Sequence, residues 1–479
     1  MRETQLYVDG HWTGGDNRFE IISPVTGTVI GMVAEGTRAD VQQALDAANA
    51  AWPDWSRRSA FERSRLLEAV AQRIIERRDE LANTLTLEQG KPLYSEAYQE
   101  VDELVEYFRL AAGDGLRLEG FCPPSMDARK RVIVQRVPRG VIGIITPWNW
   151  PYTMPAELIA PALAAGNAVV WAPAPSTSLC AVLLTECIVE AGLPAGLLNL
   201  VTGYGAVVGD EIAVNKVTHA IGFIGSIETG HKVAARAAGK ELLLEMGGNG
   251  PLIVLDDADL DRAADAIIKG AFLCAGQSCS AAELILVQET VHQALLERLA
   301  DIIPTQIRLG DPFARETTMG PLNNEGVASK MDQHVRDALA KGASLVSGGA
   351  RANNFPTPLY YQPTLLDQVT GQMQVATHET FGPVVPVQVI RDVDEALTIV
   401  NTSTYGLTTA IFTQDLKKAM QFADVVRSGT VVINDTTNWY EPHIAFGGAA
   451  GSRSGIGRVG GRTVFEKFTD YKTVFIDLA

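Results

Sequence analysis

Short apolar runs that alternate with helical stretches limit most strongly the folds open to this chain. Between residues 141 and 224 such runs are separated by segments with helical periodicity, for example 178–191. Wholly apolar runs of this length are typical of strands buried on both faces, and helical crossovers between them make the strands parallel. The pattern therefore predicts a parallel sheet covered by helices. The apolar runs predicted to form its strands are 141–146, 168–171, 197–201 and 219–224.

A second set of strand-like runs begins after residue 250 and indicates a second α/β domain. At roughly 150 residues per domain, a chain of 479 residues suggests about three structural units. Two amphipathic surface helices, 40–51 and 60–87, are expected before the first set. The runs of the second set are 252–255, 284–287, 384–390, 408–412 and 430–433.

Two further β-rich segments, 131–137 and 473–477, lie at the margins of these sets. We expect them to pair as a small outlying sheet. The exposed edge of such a sheet is suited to a contact between subunits.

Charge and cysteine content narrow the class of protein. The chain has 40 Lys and Arg against 56 Asp and Glu, which disfavours binding to nucleic acid or to an anionic membrane. Its five cysteines are an odd number without metal-ligand spacing, so neither a disulfide framework nor a metal site is indicated. Residues 1–13 lack the apolar core of a signal peptide, and no run approaches the ~18 apolar residues of a membrane span. We expect a cytoplasmic protein whose partners are small molecules.

A strand-to-helix turn at 225–230 is a candidate phosphate site. Gly225 and Ser226 end an apolar run, and Gly230 falls in the helix expected at 227–238. Free N–H groups at the start of a helix bind phosphate oxygens, although the three-glycine dinucleotide fingerprint is absent here. A tight turn without a ligand is the alternative interpretation.

Three polar side chains are candidates for catalysis. Cys279 offers a thiol among small residues, although free cysteines commonly act as buried hydrophobes. Glu245 ends an apolar run, where burial would give its carboxylate a pKa suited to a general base. A solvated strand end is the alternative. Asn149, flanked by two prolines, could present its amide N–H to a developing oxyanion or could simply form a local turn.

Taken together, these segments resemble the aldehyde dehydrogenase superfamily over nearly the whole chain. The specific signal is the order and spacing of six motifs. They are WNWP at 148–151, GSIETG at 225–230, EMGG at 245–248, GQSC at 276–279, ETFGP at 379–383 and FGG at 446–448.

The resemblance implies a role for each matching residue. It implies that the thiolate of Cys279 attacks an aldehyde, that Asn149 stabilises the oxyanion, and that Glu245 activates the water that hydrolyses the thioester. It implies NAD as the cofactor, with NADP as the alternative. The residues implied to bind the cofactor are Trp148, Gly225, Ser226, Gly230, Glu379 and Phe381.

The fold implied by the resemblance is α/β, with a Rossmann-like nucleotide-binding domain, a second α/β catalytic domain and a small β oligomerisation extension. The expected cofactor-binding domain comprises residues 1–118 and 139–247. The expected catalytic domain comprises 248–446, and the oligomerisation segments are 119–138 and 460–479. A homodimer or homotetramer is the expected assembly.

The chain departs from the family pattern where the adenosine ribose is usually held. Family members commonly carry a lysine and a glutamate at the positions that here match Ala172 and Pro175. Neither residue can hydrogen-bond a ribose hydroxyl through its side chain. The acidic composition favours NAD only mildly over NADP.

A second pair of family side chains is also replaced. Where many members carry a lysine and a glutamate thought to relay protons, this chain has Leu158 and Val459. Replacing both members of a buried ion pair can be nearly neutral, so the change indicates a coordinated repacking. Asn249 and Gly250 also differ from the usual pattern, and residues 449–453 lengthen the loop after Gly448.

Motif alignment also predicts the lining of an aldehyde tunnel. Trp150, Met154, Tyr440 and Phe446 are large and mostly apolar, which favours an aromatic or medium-length aldehyde. Glu157 matches a position that often faces the pocket, where it would repel anionic aldehydes and hydrogen-bond hydroxylated or cationic ones. The alternative is that Glu157 faces solvent.

The leading hypothesis is an NAD(P)-dependent aldehyde dehydrogenase that releases a free carboxylic acid. A non-enzymatic family member that serves as a structural or interaction protein is one alternative, suggested by the replaced side chains. An acylating enzyme that passes the thioester to coenzyme A is another, and the water-activating role of Glu245 counts against it.

Overall fold

The computed structural model describes residues 2–14 and 17–478. Its strands are β1 (Arg2–Thr4), β2 (Leu6–Val8), β3 (His11–Thr13), β4 (Arg18–Ile22), β5 (Val29–Ala34), β6 (Lys130–Pro138), β7 (Val141–Ile145), β8 (Ala168–Ala172), β9 (Leu198–Leu200), β10 (Ala220–Gly225), β11 (Glu241–Met246), β12 (Pro251–Val254), β13 (Leu284–Gln288), β14 (Ser344–Ser347), β15 (Thr364–Asp367), β16 (Val384–Ile390), β17 (Thr408–Phe412), β18 (Thr430–Ile433), β19 (Gly455–Ile456) and β20 (Thr469–Asp477).

The α-helices are α1 (Arg38–Arg57), α2 (Ala60–Glu76), α3 (Arg78–Gln89), α4 (Tyr98–Gly115), α5 (Thr153–Ala164), α6 (Ser178–Glu190), α7 (Val208–Val214), α8 (Ile227–Arg236), α9 (Leu260–Phe272), α10 (Glu289–Gln306), α11 (Glu325–Ala340), α12 (Gln374–Thr377), α13 (Val393–Thr402), α14 (Leu416–Val425) and α15 (Thr463–Phe468). A π-helical turn spans Leu93–Ala97, and short 3₁₀ segments span Pro175–Thr177 and Leu273–Gly276.

The predicted parallel sheet is present as the central part of a larger mixed sheet. Strands β11, β10, β7, β8 and β9 are neighbours in that order, and all of their pairings are parallel. Antiparallel strands extend both sides, with β19 against β11 and the hairpin of β2 and β3 against β9. The apolar run pattern could not reveal these additions, because β2, β3 and β19 are short and lie far away in sequence.

The second strand set also forms a sheet, with the order β14-β15-β16-β13-β12-β17-β18. Its pairings are parallel except for β14 against β15. Residues 247–250 join β11 of the first sheet directly to β12 of the second. Each sheet packs against its own apolar core, so the α/β fold class with a Rossmann-like unit is confirmed.

One predicted helix is two helices in the structure. The expected segment 60–87 divides into α2 and α3 at Arg77, whose guanidinium is bonded to Glu80, Glu186 and Glu190. The backbone of Arg77 leaves the helical conformation there, with φ −106° and ψ 16°, and helical periodicity alone does not show this. The expected helix at 40–51 is longer in the structure and begins with a capping box between Thr37 and Asp40.

The two β-rich marginal segments pair as expected. Strand β6 and strand β20 form an antiparallel ribbon in which Thr469 faces Pro138 and Asp477 faces Lys130. Sequence inspection missed another small sheet, which β1, β5 and β4 form near the amino terminus. Within the described residues, none of the helices combines the length and the apolar character needed to cross a bilayer.

The lengthened loop at 449–453 has a structural explanation. The backbone N–H of Ala449 donates to the Gly406 carbonyl at 2.7 Å, and that of Arg453 donates to the Thr404 carbonyl at 2.8 Å. The chain then enters β19, which pairs with β11 so that Gly455 faces Glu245. The loop therefore connects the second sheet to the strand that carries Glu245.

Candidate active site

The candidate residues meet at one edge of the first sheet. Parallel strands β7, β10 and β11 end there, so the segments that follow them lie side by side. Asn149 and Ser226 lie in the segments after β7 and β10, and Glu245 is the penultimate residue of β11, so three residues that are far apart in sequence meet here. Cys279 reaches the same place from the second sheet, on the turn that precedes β13.

The turn that carries Cys279 has an unusual backbone. Cys274, Ala275 and Gly276 have φ values of 53°, 53° and 75°, which lie in the left-handed region. Gly276 is required here, because a Cβ at this position would lie 2.2 Å from the Gly382 carbonyl oxygen. The buried carboxylate of Glu96 accepts the Cys274 N–H at 3.1 Å. This contact stabilises the strained turn.

Asn149 is buried and is held by the same turn. Its Nδ2 donates to the Gln277 backbone carbonyl at 3.0 Å, and the backbone carbonyl of Asn149 accepts from the Cys274 thiol at 3.7 Å. The side chain therefore bonds across the chain instead of forming the local turn that was the alternative. An amide carries two N–H donors, and in the described part of the chain the structure shows a bond for one of them. The second donor is available to a ligand.

Glu245 is buried, with 4% of its surface exposed, so the alternative of a solvated strand end is wrong. Among the described residues, its Oε1 has no hydrogen-bond partner. Burial raises the pKa of Glu245 well above its usual value, and hydrogen bonding with the Cys279 thiol offsets part of that rise. A carboxyl group in this state holds a proton more readily than a solvent-exposed one.

Cys279 is half-buried, unlike Cys180, Cys187 and Cys274, which are buried. Burial raises the pKa of the Cys279 thiol well above its usual value, and the Glu245 carboxylate raises it further. The geometry therefore favours the neutral thiol in the resting protein.

Two neighbouring spaces open onto Cys279. The larger is a cavity of about 550 Å³ and the smaller is a cavity of about 190 Å³. The residues that line both are Met154, Ile224, Glu245 and Cys279. A molecule in either cavity therefore reaches the same thiol and the same carboxyl group.

Most of the predicted cofactor-binding residues line the smaller cavity. Trp148, Gly225, Ser226, Glu379 and Phe381 line it, and the Trp148 and Phe381 rings meet edge to face at 5.6 Å. Gly230 does not lie on this lining. It is buried in α8, where a Cβ would lie 2.1 Å from the Met246 sulfur, so close helix packing explains this glycine.

The smaller cavity has the polar groups that a nicotinamide nucleotide would require. Within the described residues, Glu379 Oε1 is buried without a hydrogen-bond partner and can accept a bond from a ribose hydroxyl. Burial raises the pKa of Glu379 to about 7, and Lys330 opposes the rise. Ser226 caps α8 and accepts the Thr229 N–H at 3.4 Å, so the start of this helix faces the cavity.

Ala172 and Pro175, the positions that match the family's ribose-binding side chains, do not lie on the lining of the smaller cavity. Ala172 is the buried last residue of β8, and Pro175 begins the 3₁₀ segment that leads into α6. Neither offers a side-chain hydrogen bond.

All of the residues predicted to line the aldehyde tunnel lie on the wall of the larger cavity. Tyr440 and Phe446 meet edge to face at 5.2 Å, and the Lys91 ammonium lies 3.9 Å from the centre of the Trp150 ring. The predicted residues on this lining are Trp150, Met154, Glu157, Tyr440 and Phe446.

Glu157 is buried in this cavity, with 6% of its surface exposed, so the alternative that it faces solvent is wrong. The Tyr440 hydroxyl donates to Glu157 Oε1. Burial raises the pKa of Glu157 to about 7, and bonds from Tyr440 and from the Gly460 backbone oppose the rise.

Leu158 and Val459 are both fully buried in the first core. Val459 exchanges backbone hydrogen bonds with Phe446 at 2.8 Å in each direction. Both replaced relay positions therefore belong to apolar packing, as the coordinated change predicts.

Sequence inspection missed several polar residues of the site. Glu283, four residues after Cys279, accepts the backbone N–H groups of Thr380 and Phe381 and so positions the Glu379 segment. Lys330 reaches the smaller cavity from α11, and Tyr107 reaches the larger one from α4. These residues lie within ordinary amphipathic helices or beside a strand, so no local pattern distinguishes them.

Comparison with known proteins gives a consistent result over the whole chain. The model of the aldehyde dehydrogenase family matches residues 12–474. Alpha-ketoglutaric semialdehyde dehydrogenase of Bacillus subtilis strain 168 is 36% identical over 98% of this chain and 97% of its own. The NADP-dependent succinate-semialdehyde dehydrogenase GabD of Escherichia coli K12 is 36% identical over 99% of this chain and 98% of its own.

A solved structure extends the likeness to three dimensions. The crystal structure of betaine aldehyde dehydrogenase from Staphylococcus aureus in complex with NAD⁺ superposes with a TM-score of 0.95 at 34% identity. The superposition covers 99% of this chain and 95% of that chain.

Proposed function

Because the chain belongs to the aldehyde dehydrogenase family, we propose that it oxidises an aldehyde to a carboxylic acid with a nicotinamide cofactor, using Cys279 as nucleophile. The single observation that carries this proposal is the junction of the two cavities at Cys279 and Glu245. An aldehyde in the larger cavity and a nucleotide in the smaller one would reach the thiol from two sides. Oxidative acyl transfer requires that arrangement.

The first chemical step is the addition of Cys279 to the carbonyl carbon. The thiol proton passes to water in the cavity, and the sulfur forms a thiohemiacetal whose oxygen carries the developing negative charge. The free Nδ2 hydrogen of Asn149 and the backbone N–H of Cys279 are the donors for that oxygen. The bond from Asn149 to the Gln277 carbonyl fixes the amide before the substrate arrives.

The second step releases the acid. Glu245 takes a proton from water as the water attacks the thioester carbonyl, and the Cys279 thiolate leaves. Glu245 Oε1 has no other hydrogen-bond partner within the described residues, which supports this use of the carboxylate.

NAD is the proposed cofactor, with NADP as the alternative; when bound, it supplies the acceptor for the hydride of the thiohemiacetal. Glu379 Oε1 would hold a ribose hydroxyl, and the start of α8 with Ser226 would hold the pyrophosphate. Relatives of both cofactor types occur at similar identity. Names of relatives therefore do not decide between the two nucleotides.

The size of the larger cavity supports an aromatic or medium-length aldehyde. Its volume of about 550 Å³ is in the range of small-molecule sites, and its walls include Trp150, Tyr440 and Phe446. The named substrates of the relatives differ in charge: succinate semialdehyde carries a carboxylate, whereas betaine aldehyde carries a quaternary ammonium. The charge of the substrate has to be inferred from the residues of this chain.

Nicotinamide reduction with a panel of aldehydes, with and without coenzyme A, tests the proposal. Reduction without coenzyme A and release of free acid are expected, and Cys279→Ala should abolish both while the variant remains folded. Cys122→Ala removes an exposed thiol outside the site and is the matched control. A strict requirement for coenzyme A would indicate the acylating alternative. No reduction with any aldehyde would favour the non-enzymatic one.

A further inference from the structure

The larger cavity has an acidic lining. Glu96 and Glu245 already have roles, since Glu96 binds the Cys274 N–H and Glu245 contacts Cys279. Among the described residues on this lining, Lys269 is the cationic side chain, and it is exposed. The carboxylates on the lining are Glu96, Glu103, Glu157 and Glu245.

Glu157 is the carboxylate of this set that is both buried and unused. It lies in α5 three residues after Met154, which lines both cavities. No ion pair to Glu157 is found in the part of the chain that the structure describes. A buried carboxylate without a cationic partner is costly, so it persists where it serves a ligand or stays protonated.

Two hydrogen bonds hold the Glu157 carboxylate in place and leave some of its acceptor sites free. Tyr440 donates to Oε1, the Gly460 backbone also bonds the group, and Tyr440 is itself hydrogen-bonded with Tyr107. A carboxylate has about four acceptor sites, so roughly two remain for a molecule in the cavity. The tyrosines orient the group without neutralising it.

We propose that Glu157 determines substrate specificity by binding a protonated amine at the end of the substrate remote from the aldehyde. This inference rests on the proposed aldehyde oxidation and adds the charge of the substrate to it. An ammonium group with an N–H forms a charge-assisted hydrogen bond with the carboxylate, which is stronger than a bond from a neutral hydroxyl.

The aromatic walls support the same ligand. Tyr107, Tyr440 and Phe446 line the cavity, and cations bind favourably over the faces of such rings. An anionic aldehyde would instead meet Glu157 and Glu103 without a compensating arginine on the described lining. It therefore has to be bound more weakly than a neutral aldehyde of the same shape.

Three aldehydes of matched shape test the proposal: 4-(dimethylamino)butanal, 5-methylhexanal and 5-oxopentanoate. The first is a cation with one N–H, the second is its neutral isostere, and the third is an anion of the same chain length. For the natural sequence we expect kcat/KM to be at least about tenfold higher for the cation than for the neutral aldehyde, and lowest for the anion. A cation-to-neutral ratio of one or less, or 5-oxopentanoate as the best substrate, overturns the inference.

Variants assign the preference to one side chain. Glu157→Gln keeps the shape of the residue and should reduce the cation-to-neutral ratio to about one while 5-methylhexanal is still oxidised. Glu106→Gln removes an exposed carboxylate on α4, where it pairs with Arg109, and should leave the ratio unchanged. An unchanged ratio in Glu157→Gln contradicts the assignment. If that variant does not fold, the ratio measured for the natural sequence decides alone.

The neutral aldehyde separates this inference from the proposed function. If the proposed function fails, none of the three aldehydes is oxidised by the natural sequence. If only the role of Glu157 fails, 5-methylhexanal is oxidised and the cation has no advantage over it.

Discussion

Glu245 and Cys279 show how burial controls the chemistry of single residues. A low-dielectric environment disfavours both the carboxylate and the thiolate. The Glu245 carboxylate raises the pKa of the Cys279 thiol further, whereas hydrogen bonding with that thiol offsets part of the rise in the pKa of Glu245. The resting site therefore holds neutral groups that ionise in turn. This order suits a reaction in which the sulfur acts first and the carboxylate acts later.

Glu245→Gln is predicted to slow hydrolysis of the thioester more than its formation, because the amide cannot take a proton from water. A burst of reduced cofactor followed by slow turnover is the expected trace in rapid-mixing absorbance measurements. Glu283→Gln is not a suitable control, since Glu283 positions the Glu379 segment. The exposed Glu106→Gln on α4 is a better one and should retain normal turnover. Loss of the burst in Glu245→Gln would show that Glu245 acts before the acyl intermediate.

The preference for a cationic aldehyde is predicted to increase with pH. Burial raises the pKa of Glu157 to about 7, so its carboxyl group is mostly neutral at pH 6 and mostly charged at pH 8. The groups that face it are Tyr440, Tyr107, Glu245 and Cys279; both tyrosines have pKa values raised by burial and stay neutral over this range.

Titration of Glu245 and Cys279 affects both aldehydes and cancels in the ratio of their kcat/KM values. That ratio, for 4-(dimethylamino)butanal against 5-methylhexanal, should rise between pH 6 and pH 8 in the natural sequence. It should be flat in Glu157→Gln. A ratio that falls with pH in the natural sequence is incompatible with a carboxylate as the cation receptor.

At the scale of elements, buried ion pairs hold the helices that position the site. Lys91 follows α3 and lies 2.5 Å from Glu100 of α4, and both side chains are almost fully buried. Glu100 also accepts the Tyr152 N–H at 3.0 Å, directly before α5. The α3, α4 and α5 segments are therefore tied together behind Asn149 and Glu157.

Lys91→Met is predicted to destabilise the fold by about 3 to 5 kcal/mol, because it leaves the Glu100 carboxylate buried without its cation. Chemical denaturation is the measurement. The double variant Lys91→Met with Glu100→Gln removes both charges and keeps an acceptor for the Tyr152 N–H, so it should recover most of the loss. If the double variant is as unstable as the single one, packing of the lysine side chain, and not its charge, is what matters.

We expect the end of β8 and the 3₁₀ segment before α6 to govern the choice between NAD and NADP. Since Ala172 and Pro175 cannot bond a ribose hydroxyl, we predict weak binding of both NAD and NADP, with NAD favoured by less than about tenfold, or roughly 1.4 kcal/mol. Calorimetric titration measures both affinities. Ala172→Lys should strengthen NADP binding more than NAD binding, because it adds a positive charge near the ribose. Tight and selective binding to the natural sequence would mean that other residues hold the ribose.

At the scale of the whole molecule, the site lies where the two sheets adjoin. The connection 247–250 is short, and the loop at 449–453 returns the chain from the second sheet to β11. Cys279 and Glu245 therefore approach each other from different sheets. Their relative position depends on how those sheets pack, so substitutions at the contact between the sheets should affect catalysis as well as stability.

Assembly into a homodimer or homotetramer through the ribbon of β6 and β20 is predicted at the same scale. Exposed apolar side chains are concentrated on this ribbon, and such a concentration marks a protein interaction site; they are Ile133, Tyr471, Phe475 and Ile476. Phe475→Asp should reduce the assembly toward the 51.5 kDa monomer in light scattering. Leu416→Asp on α14, an equally exposed site at 72%, should leave the mass unchanged. A monomeric natural protein would refute this prediction directly.

Some features were predictable because they depend on local sequence. The apolar runs that became β7, β16 and β17 follow from strand burial on both faces, which requires consecutive apolar residues. The candidate residues Cys279, Glu245 and Asn149 could be named from motifs, because strand ends and tight turns impose small residues and prolines around them. The paired replacement at Leu158 and Val459 also predicted the coordinated repacking of these two positions.

Other features depend on contacts between distant residues and only the tertiary structure decided them. Arg77, where α2 and α3 divide, forms ion pairs with α6, and the antiparallel β19 pairs with the edge of β11. Burial of Glu157 could not be read from helical periodicity, since Tyr440 lies 283 residues away. The pKa shifts of the site have the same origin, because the dielectric environment of a carboxyl group is set by whatever the fold packs around it. Sequence determined which chemical groups this protein has, and packing determined which of them share a cavity.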